Sequence, residues 1–347
     1  MLSSRNSSSS STSKPSPPPS KPSMLHRIRN AIGFNRSYNL ALWFIFSGAL
    51  FGFTLARFSY LNFRGIFCPK KSSGGNECYY YLNFPRYHVG IILHLATILP
   101  ACLLVLFQFT PVIRQKFLLF HRINGYTVLL LFALSTAGAL MIARHTFGGG
   151  LDTQSAVGFL ALLTVGSFII SIINIKRLQI EQHRAWMLRG WFYAGCIITT
   201  RIIMIIAAMT ISSPPDGGAY YTARPCDQLL FIHKTQNETL TYYPTCESYF
   251  NGSNSNHEAI VRATMNSTKA SEITAALGVS FGMALWLALA IHAVGVEIYL
   301  HITPKEAERL RNVSFARQME AGMKNSWNGG LAVQRLGDAE TWVPREH

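Results

Sequence analysis

The chain has 347 residues, 49% of them apolar or aromatic and only 14% charged, with a formal net charge of +15. Mean hydropathy is positive, which argues against a large soluble protein with buried helices. The basic excess carries no nucleic-acid-binding motif and gathers beside one membrane surface, where it favours attraction to anionic lipid.

Residues 1–37 are rich in Ser and Pro, basic and free of acidic residues, and are expected to form a disordered cytoplasmic tail. The first apolar run starts too late and is too long for a cleavable leader and reads as a signal anchor. Six apolar segments lie at about 38–57, 87–110, 123–143, 156–175, 187–211 and 273–300. Each approaches or exceeds the roughly 20 residues that a helix needs to cross ~30 Å of hydrocarbon. The fold class is therefore all-α: a polytopic bundle of six membrane-spanning helices over 38–300, because lipid offers no partner to open backbone groups. Residues 301–347 form a second cytoplasmic tail. There Thr303-Pro304-Lys305-Glu306 reads as a cap, a first-turn proline and a capping-box glutamate. The short amphipathic helix that follows places Phe315, Met319 and Met323 on one face.

Three independent features orient the chain. With the N-terminus inside, the inner pieces 1–37, 111–122, 176–189 and 301–347 hold 20 of the 31 Lys and Arg residues, the bias expected of cytoplasmic loops. Cys68 and Cys78 fall in the outer loop 58–86, and Cys226 and Cys246 in the outer loop 212–272, where an oxidising compartment lets each pair form a disulfide. The second loop also carries glycosylation acceptors at Asn237, Asn251 and Asn266. Cys102 and Cys196 lie inside apolar segments and read as packing residues. An integral protein of the secretory pathway or plasma membrane, with both termini cytoplasmic, is the result.

Polar groups inside the bilayer are the functional clues, since each needs a partner or a cavity. Arg201 sits deep in the fifth segment, with Gly190, Ala194 and Ala208 on nearly the same face, so it is expected to point into the bundle. It reads either as a structural arginine bonded to carbonyls and hydroxyls or as a ligand site. In the second segment Gly90, His94, Thr97, Ala101 and Gln108 share one face. His94, Gln108, Arg114 and Arg201 are therefore the candidate binding residues, and a small acid or an anionic lipid headgroup is the natural ligand. His121, His183 and His292, on three helices near the inner face, are candidate axial ligands for b-type haem. His121-Arg122 and His183-Arg184 also read as interfacial anchors. No Asp lies within a spanning segment, so intramembrane aspartyl chemistry lacks its groups. Gly278-Val-Ser280-Phe-Gly282 matches a nucleophile elbow but sits inside a helix, where it reads as a small-residue packing face.

Gln108-Phe-Thr-Pro-Val-Ile-Arg114, His121-Arg122-Ile-Asn-Gly125-Tyr126, His183-Arg184-Ala-Trp186-Met187-Leu-Arg189 and Arg201 together resemble a family of predicted membrane proteins, the domain of unknown function 2306. The resemblance covers about 87–210 and implies fold and membrane location, with no activity attached; the long glycosylatable loop and serine-rich tail look like fungal members. The histidine-bearing helices also resemble cytochrome b561-type bundles, although the fourth segment has no histidine. Two functions are thus expected to compete. One is a non-enzymatic transporter or sensor with a polar cavity around Arg201, and the other a haem-bearing electron carrier or reductase.

Overall fold

The computed structural model describes residues 24–34, 36–69, 77–213, 218–323, 331, 336–338, 340 and 342. In chain order the helices are α1 (Met24–Ile32), α2 (Ser37–Phe58), α3 (Glu77–Asn83), α4 (Pro85–Gln108), α5 (Pro111–Lys116), α6 (Leu118–Ile142), α7 (Leu151–Lys176) and α8 (Ile180–Ile211). After strand β1 (Tyr220–Pro225) come α9 (Cys226–His233), α10 (Gln236–Tyr242) and α11 (Glu247–Phe250), then strand β2 (Glu258–Ala263), α12 (Ala270–His301) and α13 (Pro304–Glu320). Among the described residues six helices, α2, α4, α6, α7, α8 and α12, are long and apolar enough to cross a membrane. Large apolar side chains such as Phe44, Leu130, Leu162 and Val294 point outward from these helices, which suits hydrocarbon and not water. This is the expected all-α membrane bundle.

Helix pairing follows the small residues. α4 packs on α6, and α8 lies between α7 and α12. Ala156, Cys196, Ala284 and Ala288 are fully buried at the centre of the second group. Small side chains let helix backbones approach, which replaces the missing hydrophobic drive for association within lipid. The closest approach is between α4 and α6, where a Cβ on Gly138 would lie 2.6 Å from the Gly90 carbonyl oxygen and 2.8 Å from the His94 nitrogen. On α8, a Cβ on Gly190 would run into the Phe168 ring. Arg189 locks α8 to α12 through a two-pronged contact with Glu297, at 2.6 and 2.8 Å.

One side of the bundle carries both disulfides, Cys68–Cys78 and Cys226–Cys246. The two stapled segments touch, with the Tyr79 hydroxyl donating to Asp227 at 2.6 Å. A small sheet adds to the helical expectation here. β1 and β2 pair antiparallel with Arg224 opposite Ala259, and β2 alternates exposed and buried residues, the period-2 signature of a half-buried strand. Its Ala259, Val261 and Ala263 pack with Ala208 of α8 and Ala275 and Ala276 of α12, so the sheet sits directly on two spans.

The opposite side, called the tail side below, holds α1 against α5 and α13 against the start of α8. Three expectations change here. Residues 1–23, most of the serine-rich tail, lie outside the described residues, but Met24–Ile32 forms α1 rather than disordered chain. α13 buries Leu310, Ser314 and Gln318 instead of the Phe315–Met319–Met323 face. That polar face is buried because it serves the preceding loop: Ser314 Oγ accepts from the Ile180 nitrogen at 2.9 Å, and Gln318 Nε2 donates to the Arg177 carbonyl at 3.0 Å. Thr303 does not cap α13; its hydroxyl donates back to the Tyr299 carbonyl at 3.0 Å, and Glu306 pairs with Arg309. The α4–α6 contact gives a direct test. Gly138→Ala forces two backbones apart and lowers stability by about 1–3 kcal/mol, read as a fall in thermal midpoint, whereas Gly158→Ala, with open space around its position, leaves the midpoint unchanged.

Candidate functional site

Several threonine side chains in the spans are satisfied within one helical turn. The hydroxyls of Thr97, Thr164 and Thr200 each donate to the carbonyl four residues back, at 2.6, 2.8 and 2.9 Å. Arg201 differs. Its guanidinium carbon lies 4.3 Å from the ring centre of Phe147 and 5.3 Å from that of Phe281, and these two rings stack on one another at 4.4 Å. Cation–ring contact is worth roughly 0.5–2 kcal/mol, yet it leaves the donors unused: Arg201 Nε is buried and has no hydrogen-bond partner among the described residues. Glu77, Tyr81, Tyr60 and Arg57 are close enough for their charge or hydroxyl dipoles to act on the guanidinium, but Arg201 is in no ion pair among the described residues.

Phe147 reaches this position through an unusual turn. It is the middle residue of a 3-10 turn at Thr146–Gly148, with φ 46° and ψ 50°. A left-handed conformation costs a side-chain-bearing residue about 1–2 kcal/mol, so something must hold it. Glu77 Oε1 accepts from the Phe147 nitrogen at 2.9 Å, and the buried Tyr81 hydroxyl meets Thr146 Oγ1 at 3.2 Å. Gly148 and Gly149 follow at φ 85° and 60°, conformations open to glycine without that cost. The loop next to the first disulfide therefore clamps the aromatic cover of Arg201.

The four candidate binding residues do not form one cluster. His94 is near enough to sense the charge on Arg201, and its Nδ1 sits 2.9 Å from Ser135 Oγ and 3.0 Å from the Ser135 carbonyl. Gln108 is fourteen residues further along α4, about 21 Å at the helical rise, and donates to the His121 carbonyl at 3.1 Å on the tail side. Arg114 is on the same side, in α5, where its charge acts on His121 and His183. Shared angular position had grouped residues whose depths differ.

The haem candidates separate too. His292 has both ring nitrogens engaged, Nδ1 with the Phe192 carbonyl at 2.7 Å and Nε2 with Thr199 Oγ1 at 2.8 Å, so it has no nitrogen left for iron. Because the fifth span begins at Ile180 rather than near 187, His183 lies inside α8, with its Nδ1 2.8 Å from Ser171 Oγ. A tethered Nδ1 with a free Nε2 is the arrangement an axial ligand uses. His94 and His183 have it, but they lie toward opposite membrane surfaces and cannot share one iron. Of the remaining pair, His121 and His183, only His183 is tethered, because the His121 Nδ1 is buried with no hydrogen-bond partner among the described residues. The glycosylation acceptors Asn237, Asn251 and Asn266 are all exposed; the Asn266 amide is also engaged, its Nδ2 donating to Ser213 Oγ at 2.9 Å.

Sequence reading missed Phe147, Phe281, Glu77 and Tyr81. They come from three separate segments, and the only local signal was the position of Glu77 and Tyr81 beside Cys78.

Fold and site together define a multi-pass integral membrane protein with a partly satisfied cation near the disulfide-bearing side. Residues 91–223 match the family described as "Predicted membrane protein (DUF2306)"; the match runs from the second span through the fifth and supports the resemblance drawn from the His-Arg motifs. The chain is also similar to the "Ava biosynthesis cluster protein G" of Aspergillus versicolor, 23% identical over 340 residues, which is 85% of this chain and 97% of the relative. No solved structure matches it. The clamp on Phe147 is directly testable: Glu77→Ala strands a backbone donor and lowers stability by about 1–3 kcal/mol in chemical or thermal denaturation, while Asn83→Ala, whose amide only returns to its own helix at Tyr79, costs less.

Proposed function

We propose that this protein is a non-enzymatic transporter or sensor that binds a small organic acid at Arg201, entering from the disulfide-bearing side. The observation that carries this reading is the buried Nε without a partner, on an arginine with no carboxylate paired to it, among the described residues. A charge held at membrane depth needs compensation, and a carboxylate docking in the fork of the guanidinium supplies both charge and acceptors. The neighbouring Phe147 and Phe281 rings favour a ligand with a flat or apolar body. The relative's name, a biosynthesis cluster protein, accords with a small metabolite as that ligand. The Phe147 ring lies over the guanidinium, which makes the turn that carries it the candidate gate.

Benzoate and acetate serve as probes. In purified protein, benzoate is expected to raise the thermal midpoint more than acetate does, and Arg201→Leu to weaken benzoate binding by about 10- to 100-fold, the worth of a charge-assisted contact, with Arg201→Lys falling between. Equal benzoate binding by wild type and Arg201→Leu, in folded protein, would sink the reading. The haem alternative is separated by absorption: protein expressed with supplemental haem is expected to show no Soret band.

The same proposal puts the disulfide-bearing side in the lumen or outside the cell and both tails in the cytosol. The abundance of Lys and Arg on the tail side supports it. Endoglycosidase treatment is expected to remove sugar from Asn237 and Asn251, with less occupancy at the engaged Asn266; sugar instead on Asn312, whose Asn312-Val-Ser314 is also an acceptor sequence, would reverse the orientation.

A further inference from the structure

On the disulfide-bearing side, beside the turn that covers Arg201, a cleft of about 210 Å³ opens between the Gly148–Gly150 turn and the β1–α9 junction. Arg224 of β1 forms its floor. This residue is only 6% exposed, and its Nε is buried with no hydrogen-bond partner among the described residues. The guanidinium rests against two glycines: a Cβ on Gly278 would come 3.0 Å from Nη2, and one on Gly148 would come 3.2 Å from the same atom. Among the described residues a cation has thus been given a fitted seat without being given an acceptor. Glu258 lines the mouth of the cleft but is not in an ion pair with it.

The other walls are suited to the same chemistry. Arg144 reaches the cleft from the exposed end of α6, donating to the Gly149 carbonyl at 3.2 Å through one nitrogen, so most of its donors stay available. Tyr80 lines the cleft and stacks on His145 with ring centres 3.6 Å apart. Burial and the neighbouring Arg144 push the His145 pKa down to about 4, so at neutral pH the ring is uncharged and acts as a hydrogen-bonding wall. The three successive glycines, 148 to 150, serve the close packing of the turn itself: a Cβ would meet Arg224 Nη2 at Gly148, the Arg144 carbonyl at Gly149 and the Asp152 carboxylate at Gly150. Two arginines converging on one small polar cleft, one of them desolvated, form an oxyanion site by charge and by donor count.

We infer that this cleft is a second anion site, separate from Arg201, that takes a phosphate group through Arg224 and Arg144. The phosphate comes either from a free small molecule or from a lipid headgroup at the membrane surface. Glu258 at the mouth excludes a second negative charge and suits a ligand that carries an amine beside its phosphate.

The test uses the full-length protein. Inorganic phosphate and phosphoethanolamine are titrated by calorimetry in detergent, and retention of phosphatidylethanolamine and phosphatidic acid is measured by native mass spectrometry from nanodiscs. Arg224→Met is expected to weaken phosphate-group binding by about tenfold or more, and Arg144→Gln severalfold, by loss of charge-assisted donors. Arg262→Gln, exposed on β2 and outside the cleft lining, leaves it unchanged, and failure of benzoate to compete with phosphate separates this site from the organic-acid reading. Binding of the soluble probes identifies a free phosphate compound; Arg224-dependent retention of lipid alone identifies a headgroup. If Arg224→Met misfolds, Arg144→Gln and Arg224→Lys decide, since the Arg144 side chain is exposed. No binding of any probe, or binding indifferent to both arginines, overturns the inference.

Discussion

A peptide group carried into hydrocarbon must bring its hydrogen-bond partner along, and everything in this protein is arranged around that requirement. It makes the spans helical and turns threonine hydroxyls back onto their own carbonyls. It also draws helices together wherever glycine or alanine lets two backbones meet. The contact of Gly138 with Gly90 is one result, and it also seats His94 against Ser135. A few buried polar atoms in the spans lack a partner among the described residues, those of Trp43, His121, Thr153 and Arg201, and of these only the Arg201 guanidinium carries a fixed charge. The same holds above the bilayer, where Arg224 is buried in a fitted bed with no acceptor.

The two arginines are linked by the architecture of one side of the molecule. Glu77 is close enough for its charge to act on both, and it also holds the turn that carries Phe147. That turn has Arg201 beneath its aromatic residue and Arg224 beside its first glycine. A displacement of the turn therefore changes the surroundings of both cations together. Fold position, not sequence proximity, makes this connection, since Glu77 and Phe147 are separated by a whole helical hairpin.

The number of spans, the class of fold and the two cysteine pairings were legible because each rests on a one-dimensional signal: apolar length in the first two, and loop membership in the third. Features that depend on depth or on meeting of distant segments were not. Gln108 shares an angular position with His94, but angle says nothing of the 14 positions of rise between them. The buried face of α13 was misjudged because Ser314 and Gln318 are polar, and only the adjacent loop, with its open nitrogen at Ile180 and carbonyl at Arg177, makes burying them favourable. Strand β2 was visible in principle in the alternation of Glu258-Ala-Ile-Val-Arg-Ala. Its partner β1 ends in Arg-Pro and carries no such pattern, so the sheet and the cleft it helps to build required the fold.

Phe147 spends conformational energy to stay where it is, and a state maintained at a cost is poised to leave. Two acceptor or hydroxyl contacts from the short helix next to Cys78 are what oppose the relaxation. The covalent crosslink of Cys78 to Cys68 anchors that helix from behind. The crosslink itself packs in one cluster with Ile91 and Leu95 of α4 and Ile142 of α6, so load or reduction applied there would reach the lining of the bundle through these contacts as well as through Glu77 and Tyr81, giving the surface loop leverage over the interior.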